Sequence, residues 1–358
     1  MLKLRQKILQ VWSGKESGGF LIMLLSGISV FYSLALSLRN FCFKSGFFKT
    51  RRLGCKVISI GNITVGGTGK TPMAIMIAEF LKSKGFRPAV LSRGYGGEST
   101  GKTNIVSDGK QLFGTPDQAG DEPCLIAGIL EDVPVLTNAD RYAAGKIAVE
   151  KLGADVLILD DGFQHRCLHR DIDIALLDAA RPFGNGFVLP RGPLREQPGS
   201  LERADLLVLT RSDSDSVPCE TMLRKQFPRK KIVRARHEPE CVVDHSTGED
   251  RPVSFISGKR VAAFCGIAGP GSFRALIEKL GGELVFFKEF PDHHRYTPQD
   301  IDYLIGKSRD KSPDIVLTTD KDRIKLGNAG FPGLFTLRIK MEIDNPEFSG
   351  WLLAGLSR

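Results

Sequence analysis

A glycine-rich segment between two apolar runs constrains the fold more than any other feature of the chain. Residues 56–60 (KVISI) are apolar and rich in β-branched side chains, which predicts a buried strand. GNITVGGTGKT (61–71) follows, and PMAIMIAEFLKSKG (72–85) then has the apolar periodicity of a helix that ends at Gly85. A strand, a glycine-rich loop and a helix in this order are the context of a phosphate-binding P-loop.

In a P-loop, backbone N–H groups of the glycine-rich turn bind phosphate oxygens at a helix N-terminus. The predicted ATP-binding residues are Thr64, Val65, Gly66, Gly67, Thr68, Gly69, Lys70 and Thr71. Lys70 is expected to reach the β- and γ-phosphates, and Thr71 to bind Mg²⁺. The strict pattern has glycine at the position of Thr64, so the prediction depends on the sequence GTGKT and on its context.

Two adjacent carboxylates follow a second buried run. ADVLIL (154–159) predicts a strand, and Asp160 and Asp161 come directly after it. Acidic residues at the C-terminal end of a strand beside a P-loop are typical Mg²⁺ ligands, although a surface turn after the strand would also place them there.

The remaining runs of this half predict a doubly wound, mainly parallel α/β sheet of the P-loop NTPase class. The predicted strands cover 89–92, 133–136, 172–177 and 205–210, with a helical pattern over 141–152. Polar clusters follow several strands, at the edge where such sheets bind ligands. They begin at Arg93, Asp121, Asp140, Gly162 and Arg191.

A second α/β pattern predicts a smaller C-terminal lobe. Its predicted strands cover 260–265, 283–287, 314–317 and 334–343, with helices over 272–280 and 298–308. The predicted domains are an N-terminal membrane-associated helical arm (1–55), a P-loop domain (56–231), a linker of extended chain with short strands (232–258) and the C-terminal lobe (259–358). Two lobes favour a ligand site between them, with closure that excludes water.

The net positive charge of the chain lies almost entirely in the arm. The net charge is +9, and residues 1–56 contain ten basic residues and one acid, so the remainder is electrically balanced. Binding to a nucleic-acid backbone needs a basic stripe on the folded body. The charge distribution therefore argues against a nucleic-acid partner and favours an anionic membrane surface.

Residues 18–38 carry no charge, and as a helix residues 20–38 would span roughly 28 Å, close to the ~30 Å hydrocarbon core of a bilayer. A cleaved signal peptide is disfavoured, because no small-x-small site follows the run. A spanning helix, a helix lying in the cytoplasmic leaflet and a buried helix of the core remain open. Ser26, Ser29, Ser33 and Ser37 share one helical face, which suits a seam against protein or lipid headgroups.

Over nearly its whole length, the sequence resembles the tetraacyldisaccharide 4'-kinase family of lipid A synthesis. The motifs that carry the resemblance are SIGNITVGGTGKTP (59–72), SRGYGG (92–97), GDEP (120–123), DDGFQHR (160–166), LPRGPLRE (189–196), FPDHHRY (290–296) and TTDKD (318–322). Thr64 in the P-loop is normal for this family.

The resemblance implies ATP-dependent phosphorylation of the 4'-hydroxyl of a tetraacyldisaccharide 1-phosphate, the lipid A disaccharide precursor, to give lipid IVA. It implies Asp121 as the base that accepts the hydroxyl proton, paired with a histidine of the DHH motif. That histidine is assigned to His293, with His294 as the alternative, and Lys70 is the third catalytic residue.

The resemblance also implies that Thr71, Asp160, Asp161 and Glu196 bind Mg²⁺. It assigns substrate or phosphate contacts to Arg93, Tyr95, Arg141, Gln164 and Arg195. The expected protein is a monomer, peripheral or monotopic, at the cytoplasmic face of the bacterial inner membrane.

The main alternative is a membrane-associated ATPase of the partition or metal-insertion type. Val65 disfavours this alternative, because that class has lysine at the same position.

Overall fold

The computed structural model describes residues 2–14, 19–95, 97, 101–212, 217–292, 294–327, 331 and 333–357. The helices are α1 (Leu2–Trp12), α2 (Gly19–Lys44), α3 (Lys70–Ser83), α4 (Pro116–Ala119), α5 (Asp121–Ile129), α6 (Arg141–Leu152), α7 (Val217–Gln226), α8 (Pro270–Lys279), α9 (Pro298–Lys311), α10 (Asp320–Lys325) and α11 (Phe348–Leu356). The strands are β1 (Lys56–Asn62), β2 (Pro88–Ser92), β3 (Asn104–Ser107), β4 (Val135–Thr137), β5 (Val156–Asp160), β6 (Ile172–Asp178), β7 (Leu206–Thr210), β8 (Lys231–Asp244), β9 (Asp250–Arg251), β10 (Arg260–Cys265), β11 (Glu283–Glu289), β12 (Ile315–Thr319) and β13 (Leu334–Ile343).

The described strands form one mixed, mostly parallel sheet. Twelve follow the order β11-β10-β12-β13-β8-β7-β6-β1-β5-β2-β4-β3, and β9 pairs with β8. The central strands β1, β5, β6 and β7 are buried almost throughout, as expected where helices cover both faces of a parallel sheet. This architecture confirms the predicted α/β P-loop class.

Strand β8 joins the two halves of the sheet. Its first residues pair in parallel with β7, from Lys231 opposite Leu206 to Arg234 opposite Leu209. The rest of β8 pairs antiparallel with β13, from Ala235 opposite Ile343 to Asp244 opposite Phe335. The segment 232–258, expected to be a linker with short strands, therefore begins inside a continuous 14-residue strand. The division of the chain into domains stays a prediction.

The P-loop unit forms as the sequence predicts, with β1 leading into the loop and then into α3. Helix α3 ends at Ser83, and Gly85 has a φ of +84°, a conformation that glycine adopts readily after a helix. By contrast, Asp121, which the sequence places in a polar cluster after a strand, is the first residue of α5. Acidic residues and a proline in a first helical turn are typical N-terminal signals that this segment carries.

Helix α2 is 26 residues long, and among the described helices it alone has the length and hydropathy to cross a membrane. Most of its apolar side chains are exposed, and only Leu25 and Ser29 are buried. Of the four serines predicted to form a seam, Ser29 lies against the protein body, whereas Ser37 is exposed. The seam against protein is thus narrower than the serine spacing suggests.

Candidate active site

The P-loop turn is shaped by two glycines and by an asparagine beneath it. Gly66 and Gly69 have φ values of +123° and +84°, and Gly69 caps the N-terminus of α3. Asn62 Nδ2 donates hydrogen bonds to Thr68 Oγ1 at 2.9 Å and Thr64 Oγ1 at 3.4 Å. The loop therefore presents the backbone of residues 66–70 at a helix N-terminus, the arrangement that binds phosphates.

Side chains from the β8–β13 pair close the space behind this turn. A Cβ atom added to Gly69 would lie 2.7 Å from Met341 Cε and 3.0 Å from His237 Nε2. Arg211, directly after β7, donates to the Gly67 carbonyl at 2.9 Å and pairs with Asp178 at 2.7 Å. The sequence does not predict that His237, Met341 and Arg211 lie at the P-loop. Arg211 does follow a predicted strand directly, which is the signal that placed Arg93 in a candidate ligand site.

Residues 187–196 (FVLPRGPLRE), which we call the strap, lie along the other side of the P-loop. Val65 N donates to the Pro193 carbonyl at 2.7 Å, and Arg195 N donates to the Ile63 carbonyl at 2.6 Å. The strap thus runs beside the loop as a short stretch of antiparallel backbone, with a bridge between Thr64 and Leu194.

The two carboxylates after the buried run have different surroundings. Asp160 is the last residue of β5, opposite Ile60 of β1, and is 1% exposed. Asp161 has a φ of +55° and accepts from Arg195 Nη1 at 2.7 Å, while Lys70 Nζ lies 3.7 Å from its Oδ1. Burial alone would raise the pKa of Asp161, but Lys70 and Arg195 hold that pKa below its ordinary value.

Asp160 is a buried carboxylate with an unused oxygen. Burial raises its pKa, Glu122 and Asp161 raise it further, and Lys70 and Arg141 oppose the rise. Its Oδ1 has no hydrogen-bond partner among the described residues. A buried acceptor without a donor is costly, which is consistent with a ligand that completes this site.

The residues present fit a Mg²⁺ ion that is bound mainly through nucleotide. The described part of the chain contains no group of three or more His, Cys, Asp or Glu side chains able to hold a metal ion alone. Mg²⁺ at phosphate sites usually takes one or two carboxylates and completes its shell with phosphate oxygens and water. The unpartnered oxygen of Asp160 and the hydroxyl of Thr71, in the first turn of α3, are suitable for that role.

Glu196 lies at the centre of a different network. Its carboxylate accepts from Arg203 Nη2 at 2.7 Å and Gln164 Nε2 at 3.1 Å, and Arg39 Nη2 lies 3.3 Å away. Gln164 Nε2 also donates to the Asn62 carbonyl at 2.9 Å. Of the predicted site residues, Glu196 and Gln164 thus contact each other and support the start of the P-loop.

The motif around Arg93 packs against the start of α5. Gly120 has a φ of +91°, and a Cβ there would collide with the carbonyl oxygen of Tyr95, whose side chain is exposed. Arg141 is 2% exposed, and burial lowers its pKa to about 10, with Asp160 opposing this and Arg93 adding to it. Arg141 thus lies within electrostatic range of Asp160 and Arg93, and the backbone of Tyr95 lies against the residue before Asp121.

A cavity of about 300 Å³ opens beside this motif. Its lining includes Arg93, Lys102, Gln118, Thr137 and Asn138, and the described lining contains no acidic side chain. Such a surface favours a polar or anionic ligand.

The second half of the chain reaches this edge. Arg295 Nη1 lies 3.3 Å from Asp117 Oδ1, and α10 packs against α5. His294 Nε2 lies 3.0 Å from Asp300 Oδ2, the capping-box residue of α9, and the ring of His294 stacks on Phe290. His293, the histidine assigned to the dyad, lies outside the described residues.

The sequence and the fold of the chain match those of known proteins. The family model described as Tetraacyldisaccharide-1-P 4'-kinase matches residues 21–357. A tetraacyldisaccharide 4'-kinase of Syntrophus aciditrophicus (strain SB) is 42% identical over 96% of each chain, and one of Geobacter metallireducens is 44% identical over 86% of this chain and 89% of its own. The crystal structure of "apo" form LpxK from Aquifex aeolicus in complex with ATP has a TM-score of 0.76 and 35% identity, covering 94% of this chain and 100% of that one. The chain is therefore a kinase and belongs to the tetraacyldisaccharide-1-P 4'-kinase family.

Proposed function

We propose that this protein transfers the γ-phosphoryl group of ATP to the 4'-hydroxyl of a tetraacyldisaccharide 1-phosphate. The observation that carries the proposal is the cluster of Lys70, Asp161 and Arg195 at the P-loop, next to the helix that begins with Asp121. Phosphoryl transfer depends on positioning and charge stabilisation, and this cluster supplies both. The names of the relatives support the acceptor.

On the donor side, the P-loop amides and Lys70 would bind the β- and γ-phosphates, and Arg195 would lie beside the transferring group. Thr71 and Asp160 would hold Mg²⁺, which when bound neutralises phosphate charge. Asp161 and Glu196 were expected to share this role. Asp161 pairs with Lys70 and Arg195, so we propose that it aligns these cations.

Glu196 is already contacted by Arg39, Arg203 and Gln164. We therefore propose that it orients Gln164, and through it the start of the P-loop, without direct contact with the metal. A role for Glu196 in binding Mg²⁺ through water stays a prediction.

On the acceptor side, we assign Asp121 as the base that takes the proton of the 4'-hydroxyl as its oxygen attacks the γ-phosphorus. The bond from the γ-phosphorus to the β,γ-bridging oxygen breaks, and ADP leaves. The contact between Arg295 and Asp117 supports an approach of the DHH segment to the start of α5. Because His294 is engaged by Asp300 and Phe290, we assign the partner of Asp121 to His293. Arg93, Tyr95 and Arg141 would contact the sugar or its phosphate.

We propose that the arm holds the enzyme at the cytoplasmic face of the inner membrane, where its lipid substrate lies. The exposed face of α2 carries large apolar side chains, among them Phe20, Phe31, Leu34, Leu38 and Phe41. Basic residues follow the helix, and each contributes about 1 kcal/mol near an anionic leaflet. Peripheral or monotopic attachment and a monomeric state stay predictions.

Incubation with ATP and tetraacyldisaccharide 1-phosphate in detergent micelles tests the function. We expect a bisphosphorylated lipid, with little ATP hydrolysis when the acceptor is omitted. An active ATPase that never phosphorylates the acceptor would instead support the switch-ATPase alternative and overturn the proposal.

The two adjacent histidines provide a matched pair for the dyad. We expect His293→Ala to lower kcat by roughly 10² or more, since a group that assists proton transfer is lost. His294→Ala should instead lower the thermal midpoint, because it removes a contact of the α9 cap, and should keep kcat within a few fold. The reverse pattern would move the assignment to His294.

A further inference from the structure

One face of α2 is bonded to the strap rather than exposed. Ser29 Oγ donates to the Val188 carbonyl at 3.0 Å and accepts from Arg191 N at 3.1 Å. Tyr32 OH donates to the Arg195 carbonyl at 3.0 Å. Ser29 and Tyr32 are three residues apart, so both lie on the same face of the helix.

The strap connects Tyr32 to the P-loop and to Lys70. Arg195, whose carbonyl accepts from Tyr32, also donates its backbone N–H to the carbonyl of Ile63, at the start of the P-loop. Its guanidinium donates to Asp161. Asp161 in turn lies beside Lys70. The Tyr32 hydroxyl is therefore separated from the catalytic lysine by only two residues, Arg195 and Asp161.

A second connection runs from the same helix. Arg39, seven residues after Tyr32, pairs with Glu196, which accepts from Gln164. Gln164 donates to the carbonyl of Asn62, whose side chain bonds the P-loop threonines. Helix α2 thus contacts two consecutive residues of the strap, Arg195 and Glu196, and each of them is connected by hydrogen bonds to the P-loop.

We propose that Tyr32 is a positioning residue for phosphoryl transfer: its hydroxyl fixes the backbone of Arg195 and so holds the Arg195 guanidinium against Asp161 beside Lys70. The inference rests on the role proposed above for Arg195. It means that α2 is a structural part of the active site as well as an apolar anchor. Burial raises the pKa of Tyr32, so the hydroxyl keeps the proton that it donates.

Tyr32→Phe removes only the hydroxyl, and Tyr303→Phe, at a half-exposed position on α9, is the matched control. In detergent micelles at saturating substrates, we expect Tyr32→Phe to lower kcat about 3- to 10-fold, the effect of losing one positioning hydrogen bond. We expect a thermal midpoint within about 2 °C of the wild type, since one hydrogen bond stabilises the fold by about 1 kcal/mol. Partitioning into vesicles and the control should be unchanged. A kcat equal to that of the wild type would overturn the proposal.

A double-mutant cycle separates positioning from general destabilisation. Arg195→Lys keeps the charge but loses the planar guanidinium whose Nη1 contacts both carboxylate oxygens of Asp161, so Tyr32→Phe should cost less than twofold when added to it. Equal losses in both backgrounds would show a merely structural role and refute the proposal. If Arg195→Lys alone left kcat unchanged, the role proposed for Arg195 in phosphoryl transfer would be refuted. If Arg195→Lys lowered kcat but Tyr32→Phe did not, only the proposal for Tyr32 would be overturned.

Discussion

The contact between the P-loop and the second half of the sheet makes Gly69→Ala a sharp test of the packing. Gly69 has a φ of +84°, and its Cβ position lies 2.7 Å from Met341 Cε and 3.0 Å from His237 Nε2. Gly67 offers a matched control two residues away, because its Cβ position has no heavy atom within 4 Å and its φ is not positive.

The expected cost combines two effects. A non-glycine residue in the left-handed region costs roughly 1–2 kcal/mol. Displacing a buried methionine end group adds about 1–2 kcal/mol, at the low end for overpacking because the side chain is flexible. An unfolding entropy of about 2.1 cal/mol/K per residue gives roughly 0.75 kcal/mol/K for a chain of this length. A total of about 2–4 kcal/mol therefore corresponds to a fall of about 3–5 °C in Tm.

The assay is thermal unfolding of the nucleotide-free protein at a fixed scan rate, followed by circular dichroism. We expect Gly69→Ala to melt about 3–5 °C below the wild type and Gly67→Ala to melt within about 1 °C of it. Equal midpoints for all three proteins would refute the packing argument, and equal losses in both variants would show that loop backbone entropy, not the contact with Met341 and His237, sets the effect.

Two further outcomes are expected. Lys44→Gln, Lys49→Gln and Arg52→Gln combined should weaken binding to anionic vesicles, by about 1 kcal/mol per charge, while ATP affinity stays unchanged. Burial, with Arg141 nearby, lowers the pKa of His165 from 6.5 to about 4. The unfolded chain therefore binds a proton that the folded protein does not, and the free energy of unfolding should fall as pH falls from 6.5 towards 4. We expect His165→Gln to reduce that loss in melting curves recorded across this pH range.

Each outcome has a clear contradiction. Arg51 is left unchanged in the first variant because it pairs with Asp140 at 2.6 Å. If Lys279→Gln and Lys311→Gln in the second half weakened vesicle binding as much, the arm would not be the basic anchor. If the melting curves of His165→Gln and the wild type stayed parallel from pH 7 to 4, protonation of His165 would not cause the loss.

Local signals predicted the parts of the fold whose physics is local. The P-loop unit needs only a buried strand, a glycine-rich turn and an apolar helix in sequence, and it forms as expected. Strands β10 and β13 have the predicted bounds, because each is an apolar or alternating run between turn residues. Asp160 ends β5 and Asp161 follows it beside Lys70, because parallel strands end at one edge of the sheet. That these carboxylates bind Mg²⁺ stays a prediction.

Contacts made across long sequence distances escaped prediction. His237 and Met341 lie against Gly69 only because β8 pairs with β13 after leaving β7, and no periodicity in residues 231–244 reveals which strands flank them. Tyr32 reads as one aromatic side chain in an apolar helix. Its hydroxyl donates a hydrogen bond to the carbonyl of Arg195, 163 residues later in the chain, and no local pattern predicts that contact.

The double pairing of β8 has a consequence for what changes of length the chain tolerates. Side chains alternate across a strand, so inserting one residue near position 235 would turn the later side chains of β8, up to Asp244, to the opposite face of the sheet. His237 would turn away from the P-loop, and the register with β13 would shift throughout. A stretch whose polar composition suggests a tolerant connection is thus among the least permissive places for an insertion, and libraries of single-residue insertions should show a gap there.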